Sequence, residues 1–255
     1  MPVVVTDAIV LHAFDYLESS RILRLATREA GVISVLARGA RRPKSRFGGG
    51  LDLFTEGVAE IAMRPGRDLQ TLAGFDIMRR RSGIGEDLDR FTGCSALAEM
   101  ALRFAGEETA PALYDTLGAA LDAIASAPSS RAAETSLAGA WRVVSDLGFA
   151  PALDRCAECH TELDVAGAAR FSHSAGGTLC NRCGAAAGRE RTLPATARAT
   201  LLAWLDVDSE LPESPLAAAD IRAHQRLLRE FLHWHVGDGR ELRAFAMWEG
   251  ETLGA

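Results

Sequence analysis

Four cysteines carry the most readily named chemistry in this sequence. They stand as Cys156-Ala-Glu-Cys159 and Cys180-Asn-Arg-Cys183, two C-x-x-C pairs separated by twenty residues. A two-residue gap lets both sulfurs of a pair reach one ion at about 2.3 Å, and a second pair completes a tetrahedron. The spacing is that of the ribbon and finger type of zinc site. Four thiolates leave no coordination position for water, so the expected ion is one structural Zn2+ per chain that folds a Gly-rich insert with little core of its own. Two disulfides, or a redox pair, would use the same residues. Disulfides are disfavoured in a cytosolic protein, and neither pair lies in a βαβ context. His160 and His173 fall in the insert but are not needed as ligands, and Cys94, in an apolar helical pattern, reads as a small buried residue.

The second constellation is Arg38-Gly-Ala-Arg41-Arg42-Pro-Lys44-Ser-Arg46-Phe47-Gly-Gly-Gly50, with five positive charges in nine residues. A Gly- and Pro-rich loop cannot bury such a set, which must face solvent or an anion, and phosphate backbone is the natural partner. Phe47 is placed to stack on a base beside those charges. Arg24 and Arg28 accompany core-like Leu23 and Leu25, which would project them from the outward face of a neighbouring strand. Arg79-Arg80-Arg81 either extends the basic surface or marks the end of a module.

Several chemistries are excluded. Gly39-x4-Lys44-Ser45 is faintly similar to a phosphate-binding P-loop, but Pro43 replaces the glycine before the lysine and removes a backbone donor. H-E-x-x-H, G-x-S-x-G and a strand-linked G-x-G-x-x-G are all missing. His224, His233 and His235 near the last long helix read as packing or surface residues. The expectation is a binding protein and not an enzyme.

The elements that must position these groups differ along the chain. Of 255 residues, 48% are hydrophobic and 24% charged, an ordinary globular composition that excludes disordered, collagen-like and disulfide-framework chains. The net charge of −6 hides a split: residues 1–81 hold 13 Lys+Arg against 9 Asp+Glu, the remainder 15 against 25. A basic module on an acidic body is implied. Only Lys44 is a lysine among the 28 basic residues, so arginine abundance is weak evidence by itself and position must carry the case. No uncharged run nears the roughly 20 residues of a membrane span, and Asp7 interrupts the apolar start, so the default compartment is the cytoplasm.

Five β-branched stretches, Val3–Leu11, Ile22–Thr27, Val32–Ala37, Gly57–Met63 and Leu69–Ile77, are separated by turn signals with no crossover helix between them. An OB-type barrel over residues 1–81 is expected. Helical periodicity then governs 82–255, through Cys94–Ala105, Pro111–Ala127, Arg131–Leu147, Pro194–Leu205 and Pro215–Val236, with the cysteine insert at about 152–190. The fold class is α+β multidomain, an N-terminal OB barrel followed by an α-helical domain with an inserted four-cysteine module.

The order of these features, together with Glu18-Ser-Ser-Arg21-Ile-Leu, Ala37-Arg-Gly-Ala-Arg41, the two CxxC pairs and LLREFLHWHVG near the end, resembles the RecO family of bacterial recombination mediators over essentially the whole chain. The resemblance implies a protein of the nucleoid that binds single- and double-stranded DNA and anneals complementary strands. It further implies help in loading RecA onto DNA coated by single-strand-binding protein, work with RecR, and recognition of that coating protein's acidic, aromatic-ended tail. Carried onto this sequence, the DNA contacts are Arg38, Arg41, Arg42, Lys44 and Arg46, with Arg21, Arg24 and Arg28 as further candidates. A zinc-ribbon adaptor for an acidic protein surface and an RNA-binding barrel are the competing readings.

Overall fold

The computed structural model describes residues 2–47, 51–106, 110–187, 191–206, 211–212, 214–235 and 241–250. By its contacts the chain forms two compact units, Met1–Ser126 and Ala127–Ala255.

The first unit is a closed five-stranded barrel with two helices. Its strands are β1 (Val3–Tyr16), β2 (Ser20–Thr27), β3 (Gly31–Ala37), β4 (Glu56–Ala62) and β5 (Leu69–Arg79). They run in the order β1-β2-β3-β5-β4, closed by β1 against β4. The β3–β5 pair is parallel and the others antiparallel, the topology of an OB fold. Alternation drives this: Ala8, Val10, Leu23, Leu25, Val35, Ala37, Ala59, Ile61, Leu72 and Phe75 all face the interior. Gly57 is obligatory where β4 meets β5, because a Cβ there would lie 2.4 Å from the Asp76 carbonyl oxygen. The first strand runs five residues beyond the expected Leu11. A bulge between Val10 and His12 absorbs Leu11 and shifts the alternation.

Helices α1 (Leu88–Phe104) and α2 (Pro111–Ser126) belong to this unit and cover the outer face of β1 and β2. Asp87 caps α1 by accepting the Arg90 amide, so the helix begins six residues before the apolar run at Cys94. A buried arginine welds α2 to the barrel. Arg81 donates to Asp122 on α2 (2.7 Å), to Glu56 on β4 (2.5 Å) and to the carbonyls of Phe54 (2.9 Å) and Gly118 (3.3 Å). Tyr114 donates its hydroxyl to the other Glu56 oxygen at 3.2 Å, and burial raises its phenol above the usual range. Cys94 is fully buried, and that burial pushes its thiol up to about 12, the inert state expected for a packing residue.

The second unit is helical, built on α3 (Ala132–Asp146), α5 (Ala195–Leu205), α6 (Ala218–His235) and the short α7 (Arg243–Trp248). Trp141 on α3 meets Phe231 on α6 edge-on at 5.3 Å, and Trp204 on α5 meets His224 on α6 at 4.7 Å. Inserted between α3 and α5 are β6 (Ala169–Ser172), β7 (Gly177–Leu179), α4 (Asn181–Ala187) and β8 (Arg191–Leu193), with the strands in the order β7-β6-β8. The C-terminal end of α6 packs on this insert through Phe231 and His235, whose Nε2 lies 2.6 Å from the His173 carbonyl oxygen. Among the described residues no helix is long and apolar enough to cross a membrane.

His224 gives this unit a pH dependence. Its ring is 3% exposed, and burial, only partly opposed by Asp220, draws its pKa from 6.5 down to about 4. The folded form therefore keeps the ring neutral while the unfolded chain takes up a proton near pH 6.5. Between about pH 6.5 and 4 the unfolded state binds the extra proton, so stability falls with acidification, by about 3 kcal/mol across the window. Thermal melts at stepped pH should show this loss, and His224→Phe should flatten it. An equal slope in the variant would rule His224 out as the source.

Candidate nucleic-acid interface and metal centre

The four cysteines converge. Their sulfurs all lie within 4.8 Å of one another, and this group contains no histidine. The first pair sits on a tight knuckle, closed by the Cys156 amide donating to Thr161 O at 2.8 Å and the His160 amide to Cys156 O at 2.9 Å. The second pair opens α4, where the Cys183 amide donates to Cys180 Sγ at 3.4 Å. Between them the insert folds back so tightly that only glycine fits at 177, since a Cβ would lie 2.3 Å from the Ala152 carbonyl oxygen. Cys159 and Cys180 sulfurs stand 3.8 Å apart, matching the edge of a tetrahedron with metal–sulfur bonds of about 2.3 Å. A hydrogen bond from Thr161 holds the Cys159 thiol down at about 5, while hydrogen bonding to Cys180 and Cys159 pushes Cys183 up to about 12. Four sulfurs this close could hold a metal ion. His160 is exposed and His173 lies 3.0 Å from Glu230.

A buried arginine fixes this module to the helices. Arg198 on α5, 1% exposed, donates to the carbonyls of Leu153 (2.8 Å from Nε), Asp164 (2.6 Å) and Gly167 (3.3 Å). Sequence reading passed over Arg198 as it did the burial of Arg81. The available signal was an arginine three residues before Leu201 and six before Trp204 on an apolar helix face.

The basic loop leaves β3 and lies beside the β1–β2 turn, to which Arg41 is tied by its amide donating to Ser19 O at 3.0 Å. Arg38, Arg41, Arg42, Lys44 and Arg46 are all exposed. Arg41 pairs with Asp15 at 3.3 Å, and Arg46 donates to Leu72 O at 3.3 Å. Phe47 does not present itself for stacking. It is 2% exposed and plugs the barrel core with Leu51, so the loop is anchored from within, and Arg46 covers its ring at 5.0 Å. Residues 48–50 of the loop lie outside the described residues.

The other three arginines have partners. Arg21 stands between Asp15 (3.3 Å) and Asp52 (3.6 Å), at the basic-loop end of β2. Arg24 donates to Leu102 O at the end of α1, and Arg28 is held by Asp115 on α2 and lies 5.1 Å over the Tyr114 ring. Of the Arg79–Arg81 run, Arg79 pairs with Asp122 and only Arg81 is buried.

An OB barrel with an exposed arginine loop, joined to a helical unit that holds a four-cysteine centre, defines a multidomain α+β protein. Comparison with known proteins narrows this class. Residues 1–81 match the family described as Recombination protein O N terminal, and residues 85–243 that described as Recombination protein O C terminal. The chain is 37% identical over 252 residues to the DNA repair protein RecO of Anaeromyxobacter dehalogenans, covering 96% of each chain. It is 30% identical over 246 residues to that of a Nocardioides species, covering 94% of this chain and 97% of the relative. The chain belongs to the RecO family, which places it in DNA repair and recombination.

Proposed function

We propose that this protein is a non-enzymatic mediator that binds single- and double-stranded DNA, anneals complementary strands and helps load RecA onto DNA coated by single-strand-binding protein, acting with RecR in the cytoplasm at the nucleoid. The observation that carries the reading is the run of five exposed cations, Arg38, Arg41, Arg42, Lys44 and Arg46, fastened beside an OB barrel. Two strands repel each other through their phosphates, and a shared cationic loop lowers that repulsion, leaving base pairing to supply the driving force. No nucleotide hydrolysis is needed. Arg21 extends the cationic edge, while Arg24 and Arg28 support the surface from behind by holding α1 and α2. The cysteine centre holds one structural Zn2+, closed to substrate by its four thiolates. The helical unit is assigned to partner proteins, including the tail of single-strand-binding protein.

The reading is tested by titrating a labelled oligonucleotide at several salt concentrations. Five phosphate contacts give a single-strand salt slope of roughly −3.5, and Arg41→Ala/Arg42→Ala should weaken binding and flatten that slope by about 1.4. Wild-type annealing of bare and protein-coated strands should fall in parallel in the variant. Unchanged binding by the double variant, or tighter binding to RNA than to DNA of the same sequence, would reject it.

A further inference from the structure

The exposed aromatic side chains of the barrel are gathered on one strand beyond its bulge. Before the bulge, the outward face of β1 is covered: Ile9 is fully buried, and a Cβ on Gly118 of α2 would touch it at 3.6 Å. After Leu11 the alternation shifts, so that Ala13 turns to the core beside Leu23, and His12, Phe14 and Tyr16 turn outward. All three are exposed, Phe14 by 44% and Tyr16 by 40%. The face they share continues across the sheet. Phe14 pairs with Ile22, which pairs with Leu36, both half-buried, and Arg38 continues the outward alternation just past the end of β3. Tyr16 faces Ser20, a side chain too small to cover its ring.

This face adjoins the basic loop. Asp15, between the two aromatic residues, pairs with Arg41, and Ser19 at the following turn accepts the Arg41 amide. Asp15 faces the opposite side of the strand from the rings, so the loop closes the barrel end beside them and Arg38 brings a cation onto the ring face itself. An exposed aromatic ring is costly to leave in water and cheap to stack upon. A neighbouring set of five cations selects the occupant by charge. A single nucleic-acid strand offers both halves of the match, phosphates for the arginines and base faces for the rings, whereas a duplex keeps its bases stacked internally. Residues two apart on a strand project about 6.8 Å apart, so successive bases of an extended strand can each meet one ring. The β2–β3 face and the β1–β2 loop are also where OB folds as a class receive oligonucleotides.

We propose that Phe14 and Tyr16, flanked by His12, form a stacking platform for the unpaired bases of single-stranded DNA, whose phosphates run along the Arg38–Arg46 loop. The proposal rests on the DNA-binding reading above and adds to it the means by which one barrel tells a single strand from a duplex: the loop serves both, and the rings serve only the single strand.

The test uses the full-length, metal-replete protein, a labelled oligothymidylate and a duplex of equal length, followed by anisotropy at stepped salt. Phe14→Leu/Tyr16→Leu keeps apolar bulk at both positions, and circular dichroism checks that the barrel is intact. Single-strand affinity should fall by about five- to a hundredfold per ring lost, at an unchanged salt slope. Duplex affinity should hold within about twofold, and Phe14→Trp/Tyr16→Phe should bind the single strand as wild type does. The proposal is overturned if the leucine variant binds the single strand normally, or if it loses single strand and duplex equally. It is also overturned if the leucine variant instead loses an acidic, apolar-ended peptide, which would make the face a protein-docking surface. Arg41→Ala/Arg42→Ala separates the two claims. Loss of both DNA forms there, with no effect of the leucine pair, leaves the DNA reading standing and removes only the platform, whereas a wild type that binds neither form removes both.

Discussion

Treatment with a chelator, or replacing Cys156 and Cys180 together with serine, is expected to unfold residues 152–193 while leaving the barrel folded. The insert has few buried apolar side chains of its own, chiefly Leu153, Phe171, Leu179 and Leu193, and its three short strands cannot stand without a staple. Apparent metal-binding energies of about 10–16 kcal/mol in comparable small sites are folding energies in the same sense. Hydrogen exchange should show protection lost across the insert and at the end of α6, where Phe231 and His235 rest on Phe171 and His173. Metal analysis of protein purified without chelator should give one divalent ion per chain. Binding of an oligonucleotide should persist, since no cation of the loop depends on the insert. Full protection in metal-free protein would show that the four sulfurs gather for another reason.

Arg81→Met should cost the first unit about 3–5 kcal/mol, the usual penalty for removing one partner from a buried ion network. Glu56 would lose its cation, Asp122 would keep only the exposed Arg79, and the carbonyls of Phe54 and Gly118 would lose their donor. A drop in Tm on the order of 10 °C follows for a unit of this size. Lysine should not rescue it, because one ammonium cannot span four acceptors that a planar guanidinium reaches together. Adding Glu56→Gln to Arg81→Met should recover part of the loss, and a double-mutant cycle measures the coupling. A melting temperature within about 2 °C of wild type would mean that the network is not what holds α2 to the barrel.

What could be read beforehand was whatever local spacing determines. The C-x-x-C pairs announce a four-sulfur centre because the geometry of each knuckle is set within four residues, and the five strands announce themselves by alternation. The exposure of Arg38 to Arg46 followed from the impossibility of burying so many charges on one loop. The misread features are those settled by distant partners. Phe47 looked available because Gly and Pro surround it, yet the barrel interior had room for one more ring. The Arg79–Arg81 run reads as the end of the module or an extension of its basic surface, but carboxylates from positions 56 and 122 meet Arg81 inside the fold. The aromatic face was hidden by the assumption that β1 stops at Leu11, since only pairing with β2 reveals that the strand resumes with its sides exchanged.

That extra residue at Leu11 acts as a reading-frame shift within a single strand. Upstream of it, substitutions are constrained by the helices that lie on the barrel; downstream, by whatever the barrel meets in solution, so the two segments are free to diversify independently. Excising this one amino acid would join Val10 directly to His12, whose partners Leu25 and Arg24 are already consecutive, and so leave a regular ladder with Ala13 still inward and both rings still outward. A deletion beyond it, at Ala13, is the change that would exchange the two faces and drive both rings inward.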